Sequence, residues 1–116
     1  MTSENIAKLL EGTIVTSPDS AACLHVERGF TSDLMSDVLT LGPCEDVILI
    51  TGLANMQTIR TAEMAGLYVV ALVRGKKASD GMIALAEENE IVIIETAFSA
   101  FRASALLYHA NIKSIF

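Results

Sequence analysis

Three short stretches carry the side chains best suited to grip a small anion. Thr51-Gly52-Leu53-Ala54-Asn55 joins a glycine that lets a ligand approach the backbone to an asparagine suited to cap a helix. A helix begun there presents free N–H groups and the positive end of its dipole. Arg74-Gly75-Lys76-Lys77 places three cations in a chain whose formal net charge is −6. With Glu95-Thr96-Ala97 as the third stretch, a phosphate or carboxylate would meet Thr51, Gly52, Asn55, Arg74, Gly75, Lys76 and Thr96. Neither G-x-x-x-x-G-K-S/T nor G-x-G-x-x-G occurs, and turn and cap roles account for these residue types unaided.

Acid–base or divalent-metal chemistry would fall to Asp33 and Asp37, one helical turn apart. No histidine or third acid follows at a ligand spacing, so a solubilising role is the plainer reading. Ser32 is placed to cap the same helix and Ser36 to bond across an interface. His25 and His109 lack a serine, cysteine or aspartate companion at a motif spacing and read as structural or surface residues. Cys23 and Cys44 stand too far apart for a C-x-x-C site and are expected as reduced, half-buried thiols. The expectation is no catalytic residue, no metal and no cofactor.

These loops need elements to position them. Ile6, Leu9 and Leu10 fall at helical spacing behind the candidate cap Ser3, and Gly12 stops that helix before a β-like stretch at 13–16. Pro18 and Asp19 turn the chain, and residues 23–30 read as a strand or extended connection ending at Gly29. Residues 32–41 then show an amphipathic helix, with Leu34, Met35, Val38 and Leu39 inward and Asp33, Ser36, Asp37 and Thr40 outward, ended by Gly42 and Pro43.

From there the pattern is regular. Residues 47–50 precede a helix carrying Met56, Ile59 and Ala62; residues 68–73 precede one carrying Met82, Ile83, Leu85 and Ala86; residues 91–94 precede one carrying Phe98, Phe101 and Ala105. Unbroken β-branched runs mark strands buried on both faces, as in a parallel sheet. The expected fold is α/β, a three-layer or open and mostly parallel sheet with three C-terminal β-α units. In such a sheet ligands gather beyond the carboxyl ends of the strands, where the three candidate loops fall. Phe101 and Tyr108, two helical turns apart, read as core, with a dimer seam as the sharper alternative.

With 116 residues and no linker or repeat, the whole chain, 1–116, reads as one domain. It is 52% hydrophobic but only 5% aromatic, so the core must be aliphatic. The negative charge is the wrong sign for generic nucleic-acid or anionic-membrane binding, and no run approaches the ~20 apolar residues of a membrane span. A cytoplasmic protein with neither kind of partner is expected.

The run Gly29-Phe30-Thr31-Ser32-Asp33-Leu34-Met35-Ser36-Asp37-Val38 resembles the segment that follows the signature of DRTGG domains, a G-Y-x-S-D-L-L-S-D-V pattern. Thr51-Gly52-Leu53-Ala54-Asn55, Ile59-Arg60-Thr61-Ala62-Glu63-Met64, Val73-Arg74-Gly75-Lys76-Lys77 and the final Phe101 and Leu107-Tyr108 resemble stand-alone bacterial members, so the likeness spans most of the chain. The signature itself departs: Cys23, Leu24, Glu27 and Arg28 align with the family's Asp, Arg, Thr and first Gly, and only Gly29 remains. The resemblance implies a fold similar to the N-terminal domain of HPr kinase/phosphorylase. It also implies a dimer-forming accessory module, such as those fused to CBS-domain pyrophosphatases and phosphotransacetylases.

The expected function is a non-catalytic regulatory or sensor module that binds a small anionic ligand, such as an adenine nucleotide, as a homodimer. Gly29, Ser32, Asp33, Ser36 and Asp37 mark its family motif and seam, with Met35 and Leu39 in the core behind them. The alternative is an interaction subunit of a partner enzyme with no small ligand. A phosphotransfer or hydrolytic enzyme built on Asp33 and Asp37 would still need a nucleophile, a base and an electrophilic stabiliser.

Overall fold

Apolar runs without polar alternation become the central strands. The computed structural model describes residues 1–17 and 24–116, so Cys23 and the turn at Pro18 and Asp19 lie outside the described residues. In chain order it contains α1 (Ser3–Leu9), β1 (Thr13–Ile14), β2 (Arg28–Thr31), α2 (Met35–Val38), β3 (Val47–Thr51), α3 (Met56–Ala65), β4 (Val69–Leu72), α4 (Asp80–Glu88), β5 (Val92–Glu95), α5 (Ala100–His109) and β6 (Lys113–Ser114). One six-stranded sheet has the order β1-β5-β4-β3-β2-β6, parallel throughout except that β1 runs antiparallel to β5. The fold is thus mixed α/β, with five helices among the described residues.

Strand parity assigns each side chain to a layer. Ile48, Ile50, Val69, Ala71, Val92 and Ile94 face α1 and α5, whereas Val47, Leu49, Val70, Leu72 and Ile93 face α2, α3 and α4. Ile59, Ala62, Met82 and Ala86 seal the second face and Ile6, Leu10, Ala103 and Leu107 the first, all essentially buried. Each large aliphatic side chain removed from water contributes about 1.5–3 kcal/mol, so the two aliphatic layers hold the sheet in place. No helix among the described residues is long and apolar enough to cross a membrane.

Side-chain caps start the long helices at the carboxyl end of the sheet. Asn55 Oδ1 accepts from the Thr58 amide at 3.0 Å, Ser79 Oγ from Met82 at 3.2 Å and Ser99 Oγ from Arg102 at 3.2 Å. The cap of α1 is Thr2, not Ser3: Thr2 Oγ1 accepts from the Asn5 amide, while Ser3 is buried inside the first turn. Gly12 is required by proximity, because a Cβ there would stand 2.5 Å from the Glu95 carbonyl oxygen.

Three further expectations need correction. Strand β2 does not end at Gly29 but runs on to Thr31, because Phe30 and Thr31 pair with Leu49 and Ile50 of β3. The helix expected over 32–41 contracts to the single turn α2 and ends at Val38, short of Gly42 and Pro43. Asp33 is drawn to the end of β3, Ser32 Oγ accepts from the Leu34 amide instead of capping the helix, and Leu34 stays extended (φ −101°, ψ 103°). Leu34 and Leu39 are consequently exposed, at 58% and 48%; Met35 packs on the core and Val38 is buried. Last, α5 buries Ala103 and Leu107, whereas Phe101, Tyr108 and Ala105 face outward. Small Ala103 lets α5 lie close to the sheet, a place the ring of Phe101 would not fit.

Candidate functional site

The carboxyl ends of β2, β3, β4 and β5 bring the three sequence-derived loops side by side. Thr51 O accepts from Val73 N at 3.1 Å, Leu72 O from Thr96 N at 3.0 Å and Thr96 O from Gly75 N at 2.9 Å. The sequence therefore locates one neighbourhood, but much of its hydrogen-bonding capacity is engaged within the chain. The Gly52 amide and Thr51 hydroxyl both donate to Asp33 Oδ1, each at 2.8 Å. Thr96, buried, donates to Leu10 O at 2.7 Å and accepts from Phe98 N at 3.1 Å. Asn55 is committed to its cap.

The cationic loop is a tight left-handed turn, with Arg74 at φ 57° and Gly75 at φ 73°. A non-glycine residue there is uncommon and carries strain. Lys77 Nζ lies 3.5 Å from Glu95 Oε1, and Glu95 Oε2 accepts from Ala78 N at 2.7 Å. Arg74 and Lys76 project into solvent.

Asp33 and Asp37 no longer form a helical pair, since Asp33 precedes α2 and Asp37 stands exposed within it. Ser36 is likewise exposed on α2, and Gly29 lies in mid-strand against Ile48 and Ile112. His25 contacts Glu27 at 2.5 Å on the N-terminal side of β2, and His109 closes α5. No cluster of three metal-ligating side chains occurs among the described residues. Cys44 is a buried free thiol that donates to Gly42 O, and burial pushes its ionisation above the ordinary cysteine value.

A second feature was missed by sequence reasoning. Between α5 and the β2–β6 edge lies an open groove of about 700 Å³. Phe30, Phe101, Tyr108 and Phe116 line it, four of the chain's six phenylalanine and tyrosine side chains. Phe101 is 86% exposed and Tyr108 71%, which corrects the core reading of both. Phe30 and Phe116 meet edge to face, centroids 6.0 Å apart, and Thr31 and Ser104 share a 2.6 Å hydroxyl contact that ties β2 to α5. The available signal was Phe101 and Tyr108 seven residues apart on a helix that also carries Ala103 and Leu107: more apolar faces than one sheet contact can bury.

No protein-family model and no curated protein matches the chain. Among solved structures, its fold is similar to the CBS and DRTGG domains of the regulatory region of Clostridium perfringens pyrophosphatase, complexed with the activator diadenosine tetraphosphate. The TM-score is 0.72 at 19% identity, over 91% of this chain and 45% of that one. The likeness is one of fold, and this chain spans less than half the length of its neighbour.

Proposed function

We propose that the chain is a single DRTGG-type domain, related in fold to the N-terminal domain of HPr kinase/phosphorylase. It works as a non-catalytic regulatory module that senses a small anionic ligand as a homodimer. The groove beside α5 carries the ligand-binding part of this reading, because it offers volume and apolar walls for a small organic molecule. Commitment of Asp33 to Thr51 and Gly52 supports a structural use for the acid best placed for catalysis. The neighbouring fold belongs to a regulatory region crystallised with a nucleotide activator, which makes adenine nucleotides the first ligands to try.

The test is thermal unfolding with adenine nucleotides, acetyl phosphate and small organic anions. A ligand at a hundred times its Kd adds about 2.7 kcal/mol to stability. A rise in Tm with any of them supports the sensor, and no rise with any removes the support for these ligand classes. Arg74→Gly is the informative variant for the polar loops: it relieves the left-handed backbone while deleting the cation, so lost binding is not lost folding.

Exposed Leu34, Leu39 and Met64 favour a second reading, an interaction subunit of a partner enzyme without a small ligand. Co-purification of a stoichiometric partner from the native host would select it.

A further inference from the structure

We infer that a cationic pole built around Phe98, where the chain leaves the carboxyl ends of β4 and β5, takes a condensed phosphate chain: linked phosphoryl groups lying across Arg74, Lys76 and Arg102. The assignment rests on the anionic-ligand reading above and gives the anion a site and a chemical class.

Phe98 joins two arginines that are far apart in sequence. Its carbonyl oxygen accepts from the Arg74 amide at 2.7 Å, and the Arg102 guanidinium lies over its ring, with Cζ 3.8 Å from the centroid. The carbonyl fixes where the Arg74 side chain leaves the backbone, at a left-handed φ of 57°, and the ring fixes the plane of Arg102. Lys76 belongs to the same turn as Arg74, its amide donating to Val73 O at 3.2 Å. A guanidinium already held flat loses less freedom on gripping phosphate oxygens than a free one does.

Charge sets the class. Arg74, Lys76 and Arg102 are exposed, and none forms an ion pair with a described residue. The chain nevertheless has 14 acidic residues against 8 lysines and arginines. The carboxylates of this end are engaged elsewhere: Glu95 takes the Ala78 amide and Lys77, and Asp33 takes Thr51 and Gly52. Glu11 and Asp80 are exposed and pair with no cation among the described residues. Cations gathered without counter-ions repel one another, and a bound anion relieves that repulsion. The three side chains leave two separate segments, so linked phosphoryl groups match them better than one compact ion, and planar guanidinium forks suit phosphate oxygens. In so open a place the phosphates also keep water on their outer side.

Tripolyphosphate without divalent cations is the probe, titrated calorimetrically into the full chain at low ionic strength. It should bind once per chain, more tightly than orthophosphate, and more weakly as salt rises. The net charge of −6 makes unspecific attraction the wrong sign. Arg102→Gln and Arg74→Gly should each weaken binding about tenfold, the scale of one charge-assisted contact, and Lys76→Gln about threefold. Arg60→Gln, which removes an exposed cation of α3, should change nothing. Phe98→Leu should weaken binding in the parent chain and add nothing in the Arg102→Gln background, the signature of a residue that acts by positioning Arg102. ATP separates two sources of the same chemistry. Tighter binding than tripolyphosphate, with the excess lost in Arg102→Gln, makes the source a nucleotide whose base stacks on the open face of the guanidinium; equal binding makes it the phosphate chain alone.

Absent or non-saturating binding of both tripolyphosphate and ATP, or binding as strong in Arg102→Gln and Arg74→Gly as in the parent chain, overturns the assignment. Citrate bound as tightly as tripolyphosphate also overturns it, because the pole would then answer to charge and not to phosphate. The sensor reading fails separately. A metabolite that raises Tm equally in the parent chain, Arg102→Gln and Arg74→Gly keeps the sensor and overturns the pole. Arginine-dependent tripolyphosphate binding, with no rise in Tm from any nucleotide, acetyl phosphate or organic anion, supports the pole and removes the metabolite sensor.

Discussion

Asp33 Oδ1 lies 2.8 Å from the Thr51 hydroxyl and 2.8 Å from the Gly52 amide, so a single carboxylate oxygen clasps the segment leaving β2 to the end of β3. Thr51 Oγ1 in turn accepts from the Leu53 amide at 3.2 Å, which extends the clasp into the loop before α3. The Ser-Asp step of the family-like motif thus shapes the backbone at the carboxyl end of the sheet, and the strand end rather than a helix face is what it organises.

Asp33→Ala should therefore destabilise the chain by about 1–3 kcal/mol, because the fully buried Thr51 hydroxyl loses its acceptor. Asp33→Asn, which keeps an acceptor oxygen, should cost less. Urea unfolding of the two variants checks this, and equal losses would mean the carboxylate shape contributes nothing. Gly52→Ala should be nearly neutral in the same assay, since a Cβ there stands 3.7 Å from Asp33 Oδ2.

Gly12 behaves oppositely. A Cβ at Gly12 meets the Glu95 carbonyl oxygen at 2.5 Å and Ile94 Cγ2 at 3.2 Å, where α1 turns into the antiparallel strand β1. Backbone must move, at a cost of about 1–3 kcal/mol for overpacking. Gly12→Ala should lower the urea midpoint clearly, and loss of protection at the Val15 amide, bonded to Ile93 O, would locate the damage in β1 by hydrogen exchange.

Much of this architecture was legible in the sequence. The runs that became β3, β4 and β5 contain no polar interruption before Thr51 and Glu95, and Asn55 announced its cap. What failed was local periodicity against tertiary bonding. Residues 32–41 have helical spacing, yet the bonds of Asp33 to Thr51 and Gly52 hold the first part extended. Strand β6, two polar residues long, has no pattern to read; it pairs with Arg28 and Gly29 far away in sequence. The groove depends on that pairing, because β6 and the residues around it form the edge that faces α5. Phe101 was misread because hydrophobicity does not say which face of a helix meets the sheet.

Arg28 and Asp46 set an acid-side dependence. The guanidinium meets the carboxylate twice, Nε at 2.9 Å from Oδ2 and Nη2 at 2.7 Å from Oδ1, joining the start of β2 to the turn before β3. The hydrogen bond to Arg28 holds the Asp46 carboxyl below its ordinary 3.8. A depressed folded-state value stabilises above the unfolded value and is lost as pH falls through the folded one. The stability gap between the parent chain and Asp46→Asn should be constant near neutrality and close only below about 3.8. A gap that stays constant into strong acid would show the pair to be uncoupled from folding.

Cys44 should resist thiol reagents in the native chain. Its Sγ is buried and donates to Gly42 O, and desolvation raises its ionisation despite the neighbouring Arg28. In a Cys23→Ser background, labelling at neutral pH should proceed at the rate of local opening and jump in urea. Immediate labelling without urea would contradict the packing around residues 42–44.

A homodimer should form through residues 32–41. Here α2 is too short to bury its own apolar flanks, leaving Leu34 at 58% and Leu39 at 48% exposure with Ser36 and Asp37 beside them. Paired copies would cover the two leucines, and an isologous contact would let Ser36 and Asp37 of one copy bond polar groups of the other. Light scattering at micromolar concentration is the measurement, and a mass near 12.4 kDa would refute the dimer. Leu34→Asp with Leu39→Asp should give monomers that melt like the parent subunit in isolation, because neither side chain supports the core. Phe101→Asp should leave the dimer intact if the seam is at α2 and the groove beside α5 stays free for ligand. The reverse pattern, dissociation by Phe101→Asp alone, would move the seam to α5 and close the groove.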